Sequence, residues 1–314
     1  MSMAHDTEEL EAHVDRLLVG AIDPHVHSGP SIAARALDHL ALARQMSAAG
    51  FAAVITKDHD YAGVMTAALI AANFPELKTK VYSGIALNNV VGGLNPYAVE
   101  HTAAMGGKVV FMPTLAAAHH LKWEKTSGWV HPASTQKIRA ASAVPVLDGA
   151  GRVNDATKEI LDAVARTGLA LESGHLHISE TLLVFEEARR RGVRALILTH
   201  PEDIVEATLG DVRDLAAQGV FAEHSLCMFL EGSKFKTRST EDLRDQIEAA
   251  GPDQTILCSD LGQVGVFSPL EGFRRGVKLC LELGYDDAQI RKMVSLNAAR
   301  AFGLEADVAA ATAA

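Results

Sequence analysis

Eight short apolar runs recur along the 314-residue chain, and a helix-like stretch follows each of them. The runs are GAIDPHVH (20–27), FAAVITKDH (51–59), KVYSGIAL (80–87), KVVFMPT (108–114), GLALESGH (168–175), RALILTH (194–200), GVFAEHS (219–225) and QTILCSD (254–260). Six of the seven steps between run ends measure 25–35 residues, the length of one strand and its crossover helix. Strands and helices that alternate in this way predict a parallel (β/α)8 TIM barrel.

The one irregular step, of 61 residues, separates the fourth and fifth runs and predicts a long insertion between strands 4 and 5. We interpret residues 115–150 as an elaborated loop over the mouth of the barrel, with a small hairpin near Asp148. His119, His120 and His131 lie in this segment, where single histidines are more often solvent-facing than functional. Two tryptophans beside them are also compatible with a lid.

Composition narrows the class of protein. With 48% apolar and 22% charged residues, the chain is typical of a globular protein, and we expect one domain over 1–314 that ends in a flexible tail, 306–314. The net charge of −10 and the absence of a Lys/Arg run exclude nucleic acid and anionic membrane as main partners. The expected partner is a small molecule, and self-association, common among barrel enzymes, is a further expectation. The acidic, polar N-terminus and the lack of a long apolar segment predict a cytoplasmic protein.

Titratable side chains collect where the apolar runs end. They are His25 and His27 in the first run, His59 in the second, His175 in the fifth, His200 in the sixth, His224 in the seventh and Asp260 in the eighth. Carboxyl ends of barrel strands share one rim, so these side chains are expected to meet there. Residues at i and i+2 of a strand face the same way, which lets His25 and His27 bind one cation together.

These motifs resemble the metal-dependent amidohydrolase superfamily, whose barrel carries an HxH pair after strand one, histidines after strands five and six, and an aspartate after strand eight. The matching segments are DPHVH, SGH, LTH and CSD, and SLNAARAFGL (295–304) is similar to the closing motif of that superfamily. The resemblance implies the metal ligands His25, His27, His175, His200 and Asp260. It also implies catalytic roles for Asp260, as proton acceptor, and for His200, as a ligand or as a group that polarises the scissile carbonyl.

The expected metal is Zn²⁺, with Mn²⁺ or Fe²⁺ as alternatives, because imidazoles and one carboxylate suit these ions. Many members of the superfamily carry a carboxylated lysine at the end of strand four, but here that strand ends FMPT. Lys57 or Glu172 could take its place, although neither matches the position of that lysine. We therefore expect one metal and leave a second open.

Further residues near the predicted rim are candidates for substrate binding. They are Lys57, His59, His224 and Arg35, and the two cations among them favour an anionic or carboxylated substrate. Each also has a simpler interpretation, such as a surface cluster for Lys57, a turn for His224 or a solvated helix for Arg35. The role of His177, two residues beyond His175, is left open between the site and the entry to a helix.

Together these features predict a metal-dependent hydrolase that cleaves a C–N bond, in an amide or cyclic amide, or a lactone of a small, carboxylated compound. The alternatives are a phosphoesterase of the polymerase and histidinol phosphatase type and an amidohydrolase-related decarboxylase or hydratase. Against the phosphoesterase, the chain continues SGPS after HVH, where that family has threonine and an acidic residue. A barrel that only binds its ligand is disfavoured because all four expected ligand positions are filled.

Overall fold

The computed structural model describes residues 2–127 and 137–313, with residues 2–7 described by their backbone alone. Eight parallel strands are hydrogen-bonded in sequence order within one sheet. They are Ile22–Val26 (β1), Ala53–Thr56 (β2), Lys80–Ala86 (β3), Val109–Phe111 (β4), Ala170–Glu172 (β5), Leu196–Thr199 (β6), Phe221–Ser225 (β7) and Thr255–Cys258 (β8).

The end of β1 joins the segment that follows β8. The Asp260 N–H donates to the His25 carbonyl at 2.9 Å, and the His27 N–H donates to the Leu261 carbonyl at 2.8 Å. These bonds bring the eighth strand against the first. The predicted (β/α)8 TIM barrel is confirmed, and the candidate ligands His25 and Asp260 lie at the point where it closes.

Helices alternate with the strands. They are Ser2–Leu18 (α1), His39–Ala48 (α2), Val64–Asn73 (α3), Pro96–Ala104 (α4), Ala118–Ser127 (α5), Asp155–Thr167 (α6), Ile178–Arg190 (α7), Leu209–Ala217 (α8), Thr240–Ala250 (α9), Pro269–Glu282 (α10), Asp287–Arg291 (α11), Asn297–Phe302 (α12) and Glu305–Thr312 (α13). Short 3₁₀ turns lie at Asn89–Val91 and Leu226–Met228, and a π turn joins α11 to α12 over Lys292–Leu296. No helix in the described part of the chain is long and apolar enough to cross a membrane.

Local sequence signals explain several helix ends. The Asn154 side chain accepts from the Thr157 N–H at the start of α6, and Gly168, with φ of 73°, ends that helix in the left-handed conformation. His177 begins α7 in the same manner, because its Nδ1 accepts from the Ser179 N–H at 3.2 Å. A Glu180 carboxylate completes a capping box there. Of the two roles considered for His177, the structure places it at the entry to the helix.

The interior of the barrel is filled by apolar side chains from alternate strand positions, as expected of a packed TIM barrel. This layer comprises Ile22, Ala53, Ile55, Ala86, Val109, Phe111, Ala170, Ile197, Phe221 and Ile256. Phe302 of α12 and Val308 of α13 belong to the same cluster. The barrel is therefore filled by its own core among the described residues, and functional groups of this fold lie at the carboxyl ends of the strands.

The closing motif contributes to the wall of the barrel. Asn297 opens α12, and its side-chain amide donates to the carbonyls of Pro252 (2.8 Å) and Thr255 (2.7 Å), at the start of β8. Most of 306–314, expected as a flexible tail, instead lies in α13, where Val308 is buried. Burial of Val308 holds the helix against the core.

The long insertion separates β4 from β5 as predicted. It contains α5 and a turn in which Leu147 pairs with Val153 and the Asp148 N–H donates to the Arg152 carbonyl at 2.7 Å. This turn corresponds to the hairpin expected near Asp148. His120 lies on α5 and is buried, contrary to the solvent-facing interpretation, whereas His131 falls outside the described residues.

Candidate metal centre

The HxH pair lies at the carboxyl end of β1. The pairing of β1 with β2 is irregular between Asp23 and Val26, where three steps along β1 oppose two along β2. His25 and His27 are both buried, and their ring centroids lie 5.5 Å apart. The irregularity and the shared face bring both imidazoles to the mouth of the barrel.

The Nδ1 atoms of these two rings have partners inside the protein. His25 Nδ1 lies 2.8 Å from Glu223 Oε1, and His27 Nδ1 lies 2.9 Å from the Lys57 carbonyl oxygen. A carbonyl oxygen only accepts, so His27 Nδ1 donates, and in the neutral ring the lone pair is on Nε2. Partners of this kind fix the tautomer and orientation of metal-binding histidines.

Both Nε2 atoms point to the Asp260 carboxylate. Asp260 Oδ1 lies 3.0 Å from His27 Nε2 and 3.4 Å from His25 Nε2. One ligand atom from each of these three residues lies within 4.8 Å of the ligand atoms of the other two. His25 Nε2 is buried and has no hydrogen-bond partner among the described residues. Two imidazole nitrogens and a carboxylate oxygen that converge in this way fit a divalent cation such as Zn²⁺, Mn²⁺ or Fe²⁺.

His175 and His200 lie next to this group. The His200 ring centroid is 5.1 Å from that of His175 and 6.2 Å from that of His25. His200 Nδ1 is buried without a hydrogen-bond partner among the described residues, while His175 Nδ1 lies 3.0 Å from His120 Nδ1. The structure thus brings all five predicted ligands into one cluster, in which three converge and two lie beside them.

Two of these residues have unusual backbone conformations. His200 has φ of 29° and Asp260 has φ of 49°, in the left-handed region that residues other than glycine seldom adopt. Strained residues of this kind concentrate at functional sites, where the surrounding structure holds them in place. His200 directly follows β6, and Asp260 lies two residues beyond β8, so both residues lie at the predicted rim.

Burial sets the charge state of the cluster. It lowers the pKa of His25 to about 3 and that of His27 to about 4, with smaller contributions from Lys57 and Arg35 respectively. Burial alone would raise the pKa of Asp260, but His25, His27 and Lys57 outweigh it and hold that pKa below the ordinary value. The centre therefore offers neutral imidazoles and an ionised carboxylate, the forms in which these groups bind metals.

Three titratable side chains are buried next to this centre. They are Lys57, directly after β2, Glu172 of β5 and Glu223 of β7. Burial lowers the pKa of Lys57 and raises the pKa of both carboxyl groups, that of Glu223 to about 7. Lys57 Nζ lies 4.8 Å from the centre of the Phe111 ring. This arrangement places an ammonium group and two carboxyl groups in the layer that supports the histidines.

A pocket opens onto the centre. Its lining includes four of the predicted ligands, His27, His175, His200 and Asp260, and also His59. Its apolar lining consists of Trp123, Ile204, Met228 and Phe235, while Arg35, Lys57, Asp203, Cys227, Thr237 and Gln263 supply the other groups. The pocket therefore combines apolar, charged and metal-ligand side chains next to the centre.

Three of the four residues predicted to bind substrate line the pocket, and the fourth, His224, does not. Arg35, Lys57 and His59 line the pocket, and the His59 ring stacks against His27 at 5.5 Å. His224 does not belong to this lining, since its Nδ1 faces Glu202 Oε2 at 3.3 Å. Its neighbour Glu223 contacts His25 instead.

Sequence reasoning missed Glu223, and it left His120 and Trp123 open between a solvent-facing loop and a lid. Glu223 and Phe221 share the inward face of β7, and period-two alternation from Phe221 could have identified it. His120 and Trp123 lie three residues apart on α5, a spacing that brings side chains together on a helix. Their ring centroids are 5.9 Å apart, but no pattern in the sequence indicates that α5 approaches His175.

The fold is shared with solved structures of low sequence identity. An amidohydrolase from Pseudomonas aeruginosa matches with a TM-score of 0.63 and 12% identity, over 95% of this chain and 98% of that chain. A putative 2-pyrone-4,6-dicarboxylic acid hydrolase from Pseudomonas putida has a TM-score of 0.55 and 16% identity, over 91% and 98%. A 2,6-dihydroxybenzoate decarboxylase from Rhizobium has a TM-score of 0.56 and 12% identity, over 91% and 99%. At such identities the likeness shows the fold alone, and at that level it confirms the resemblance found in the sequence.

The search of curated proteins finds no match. A family model described as "Family of unknown function (DUF6282)" matches residues 20–223. The matched segment includes His25, His27, His175 and His200 and ends before Asp260. Because the match spans more than half of the 314 residues, the chain belongs to the DUF6282 family.

Proposed function

We propose that this protein is a metal-dependent hydrolase that cleaves a C–N bond or a lactone in a small compound. The observation that carries the proposal is the convergence of His25 Nε2, His27 Nε2 and Asp260 Oδ1 next to the pocket, which His27 and Asp260 line. The amidohydrolase and hydrolase structures that share this barrel support the same reaction class.

His25, His27 and Asp260 would hold the cation, with His175 and His200 close enough to complete its surroundings. A bound divalent cation would polarise the scissile carbonyl and lower the pKa of a coordinated water. Asp260, kept ionised by its neighbours, accepts a proton from the attacking water and returns it to the leaving group. His200, whose pKa burial also lowers, is neutral and acts as a ligand or as a hydrogen-bond donor to the carbonyl oxygen.

We propose one cation, zinc first and manganese or iron as alternatives. A second group of candidate ligands consists of His25, Glu223 and Cys258, but it shares His25 with the first. Glu223 and Cys258 are fully buried, and neither lines the pocket. A cation held there would not meet a substrate, so this group does not support a second catalytic metal.

Decarboxylation is the second candidate reaction. It is favoured by the likeness to a 2,6-dihydroxybenzoate decarboxylase, which has the same barrel. The two reactions differ in their products, because hydrolysis creates a new carboxylate, whereas decarboxylation removes one as CO₂.

The test is turnover of a panel of lactones, cyclic imides, N-acyl amino acids and hydroxybenzoates by zinc-loaded and chelator-treated protein. We expect acid release from a lactone, imide or N-acyl compound by the loaded protein only, and its loss in His25→Ala. His101→Ala is the matched control, because His101 is exposed on α4. Release of CO₂ would favour the second candidate, and turnover that is equal with and without metal would overturn the metal-dependent mechanism.

A further inference from the structure

Arg35 stands out among the groups that line the pocket. Its side chain is partly buried, and its Nε is buried with no hydrogen-bond partner among the described residues. The described chain places no carboxylate oxygen at ion-pair distance from its guanidinium group. Asp58, Asp260 and Asp60 are near enough only to favour its charged form, against the burial that lowers the pKa of Arg35. A partly buried cation without a close partner has lost hydration that the carboxylate of a ligand can replace.

The backbone holds Arg35 next to the metal centre. Arg35 pairs with Gln263 in an isolated antiparallel bridge, and the neighbouring Ala36 N–H donates to the Gly262 carbonyl at 2.8 Å. The Gln263 side-chain amide in turn donates to the carbonyl of Asp260 at 3.2 Å. The loop after β1 and the loop after β8 are thus fastened together, and Arg35 has a fixed position relative to Asp260.

The lining of the pocket also has an apolar part. It consists of Trp123, Ile204, Met228 and Phe235. A molecule that contacts both Arg35 and these side chains must combine an anionic group with an apolar body. The guanidinium group is planar and offers parallel N–H donors, which match a carboxylate better than a single-point anion.

We infer that Arg35 binds a carboxylate of the substrate, and that the substrate is a compact cyclic or aromatic acid whose scissile bond lies within a few bonds of that carboxylate. The short separation follows from the link between Arg35 and Asp260 through Gln263. The inference rests on the proposed function, since it places the acid relative to the reacting carbonyl. The second pocket cation, Lys57, is buried, whereas Arg35 is only partly buried, so Arg35 is the more accessible cation for a ligand.

The test uses benzoate as the probe and benzyl alcohol as its uncharged counterpart, with calorimetric titration of the full chain. Both the zinc-loaded and the chelator-treated protein are measured. We expect benzoate to bind at least about tenfold more tightly than benzyl alcohol and Arg35→Gln to remove this preference. Arg35→Lys should retain part of it, since a lysine keeps the charge and loses the planar pair of donors. Arg152→Gln, which changes an exposed arginine paired with Asp148, is the matched control and should bind as the wild type does.

Equal benzoate affinity in Arg35→Gln and wild type would overturn the inference, as would failure of the wild type to prefer benzoate. A preference for benzoate that needs zinc and survives Arg35→Gln would show that the carboxylate binds the metal instead. The proposed function has a separate test, because it fails if the protein binds no metal or hydrolyses no substrate. In that case the preference of the metal-free protein for benzoate would still test the role of Arg35. Unfolding curves of each variant show whether a loss of binding comes from a loss of fold.

Discussion

His25 Nδ1 lies 2.8 Å from Glu223 Oε1, and both side chains are fully buried. The contact joins β1 to β7 across the interior of the barrel, beneath the candidate metal centre. A carboxylate in this position orients the imidazole and makes its other nitrogen a better ligand. Glu223 is therefore a positioning residue for His25, and it acts on the metal only through that ring.

Glu223→Ala is expected to weaken zinc binding by about 10-fold to 100-fold, because His25 loses the partner that fixes its orientation. Glu223→Gln keeps an acceptor oxygen and is expected to lose less. Chelator competition measures both affinities, and the visible spectrum of the cobalt-loaded protein reports any change in coordination. Glu231→Ala, at an exposed residue that pairs with Lys236, is the control. Zinc affinity that is unchanged in Glu223→Ala would remove the positioning role.

The loop after β8 packs closely against the HxH pair, and Gly262→Ala tests that contact. Gly262 has φ of 127°, and a Cβ placed there would lie 1.7 Å from the carbonyl oxygen of His27. Because backbone must move to admit a methyl group, we expect a loss of about 3 kcal/mol in the free energy of unfolding. The displaced His27 should also bind zinc less tightly.

Gly168→Ala provides the matched control for that substitution. Gly168 has φ of 73° in the left-handed conformation, but nothing lies within 4 Å of the added Cβ. Only the backbone strain remains, so a loss of about 1 kcal/mol is expected, without any change in zinc affinity. Chemical denaturation of the two variants measures the difference, and equal losses would show that the contact with His27 is not tight.

The pH dependence of zinc binding follows from the lowered pKa values of His25 and His27, about 3 and about 4. Two histidines with an ordinary pKa of about 6.5 would lose up to about 100-fold in affinity per pH unit below that value. Here both rings stay neutral in the folded protein, so we expect a nearly constant affinity from about pH 6.5 to about pH 5. Chelator competition across this range measures it, and a steep fall would show that the rings are protonated.

The same lowered pKa values make the metal-free protein less stable as the pH decreases. Below about pH 6.5 the unfolded chain protonates both histidines, whereas the folded chain does so only near pH 3 to 4. The unfolded state then binds more protons, so the contribution of these two residues to stability falls as the pH decreases. Urea denaturation at several pH values measures the free energy of unfolding. We expect it to decrease less between about pH 6.5 and about pH 5 in the metal-free His25→Ala, His27→Ala double variant than in the metal-free wild type.

Asp260→Asn separates metal binding from proton transfer. An amide oxygen can still coordinate a cation, but it cannot accept a proton at neutral pH. We expect most of the zinc to remain, while turnover on the compound that the wild type cleaves falls by about 1000-fold. Metal analysis and steady-state kinetics measure the two effects. Turnover close to that of the wild type would place the proton acceptor elsewhere.

Much of the fold and of the centre could be predicted because both follow from local patterns. The β-branched and apolar runs recur at the spacing of strand plus helix, and His25, His27 and Asp260 stand where those runs end. It was harder to predict which side chains of a strand point into the barrel. His224 and Glu223 are adjacent in β7, and only the alternation of side chains from Phe221 indicates that Glu223 points into the barrel.

Other features depend on contacts between segments that are distant in the sequence. His120 meets His175 only because α5 folds back over the barrel, 55 residues before its partner along the chain. The left-handed conformations of His200 and Asp260 likewise follow from the tertiary structure, since neither residue type demands them. Local periodicity contains no information on either point.

The central claim is that His25, His27 and Asp260 hold one divalent cation. The most direct measurement is anomalous scattering at the zinc absorption edge from crystals of the zinc-loaded protein. The account predicts a single strong peak within coordination distance of His25 Nε2, His27 Nε2 and an Asp260 carboxylate oxygen, and no peak in the His25→Ala, His27→Ala double variant. A zinc-loaded wild-type crystal without a peak between these three residues, or with its zinc bound elsewhere, would contradict the claim.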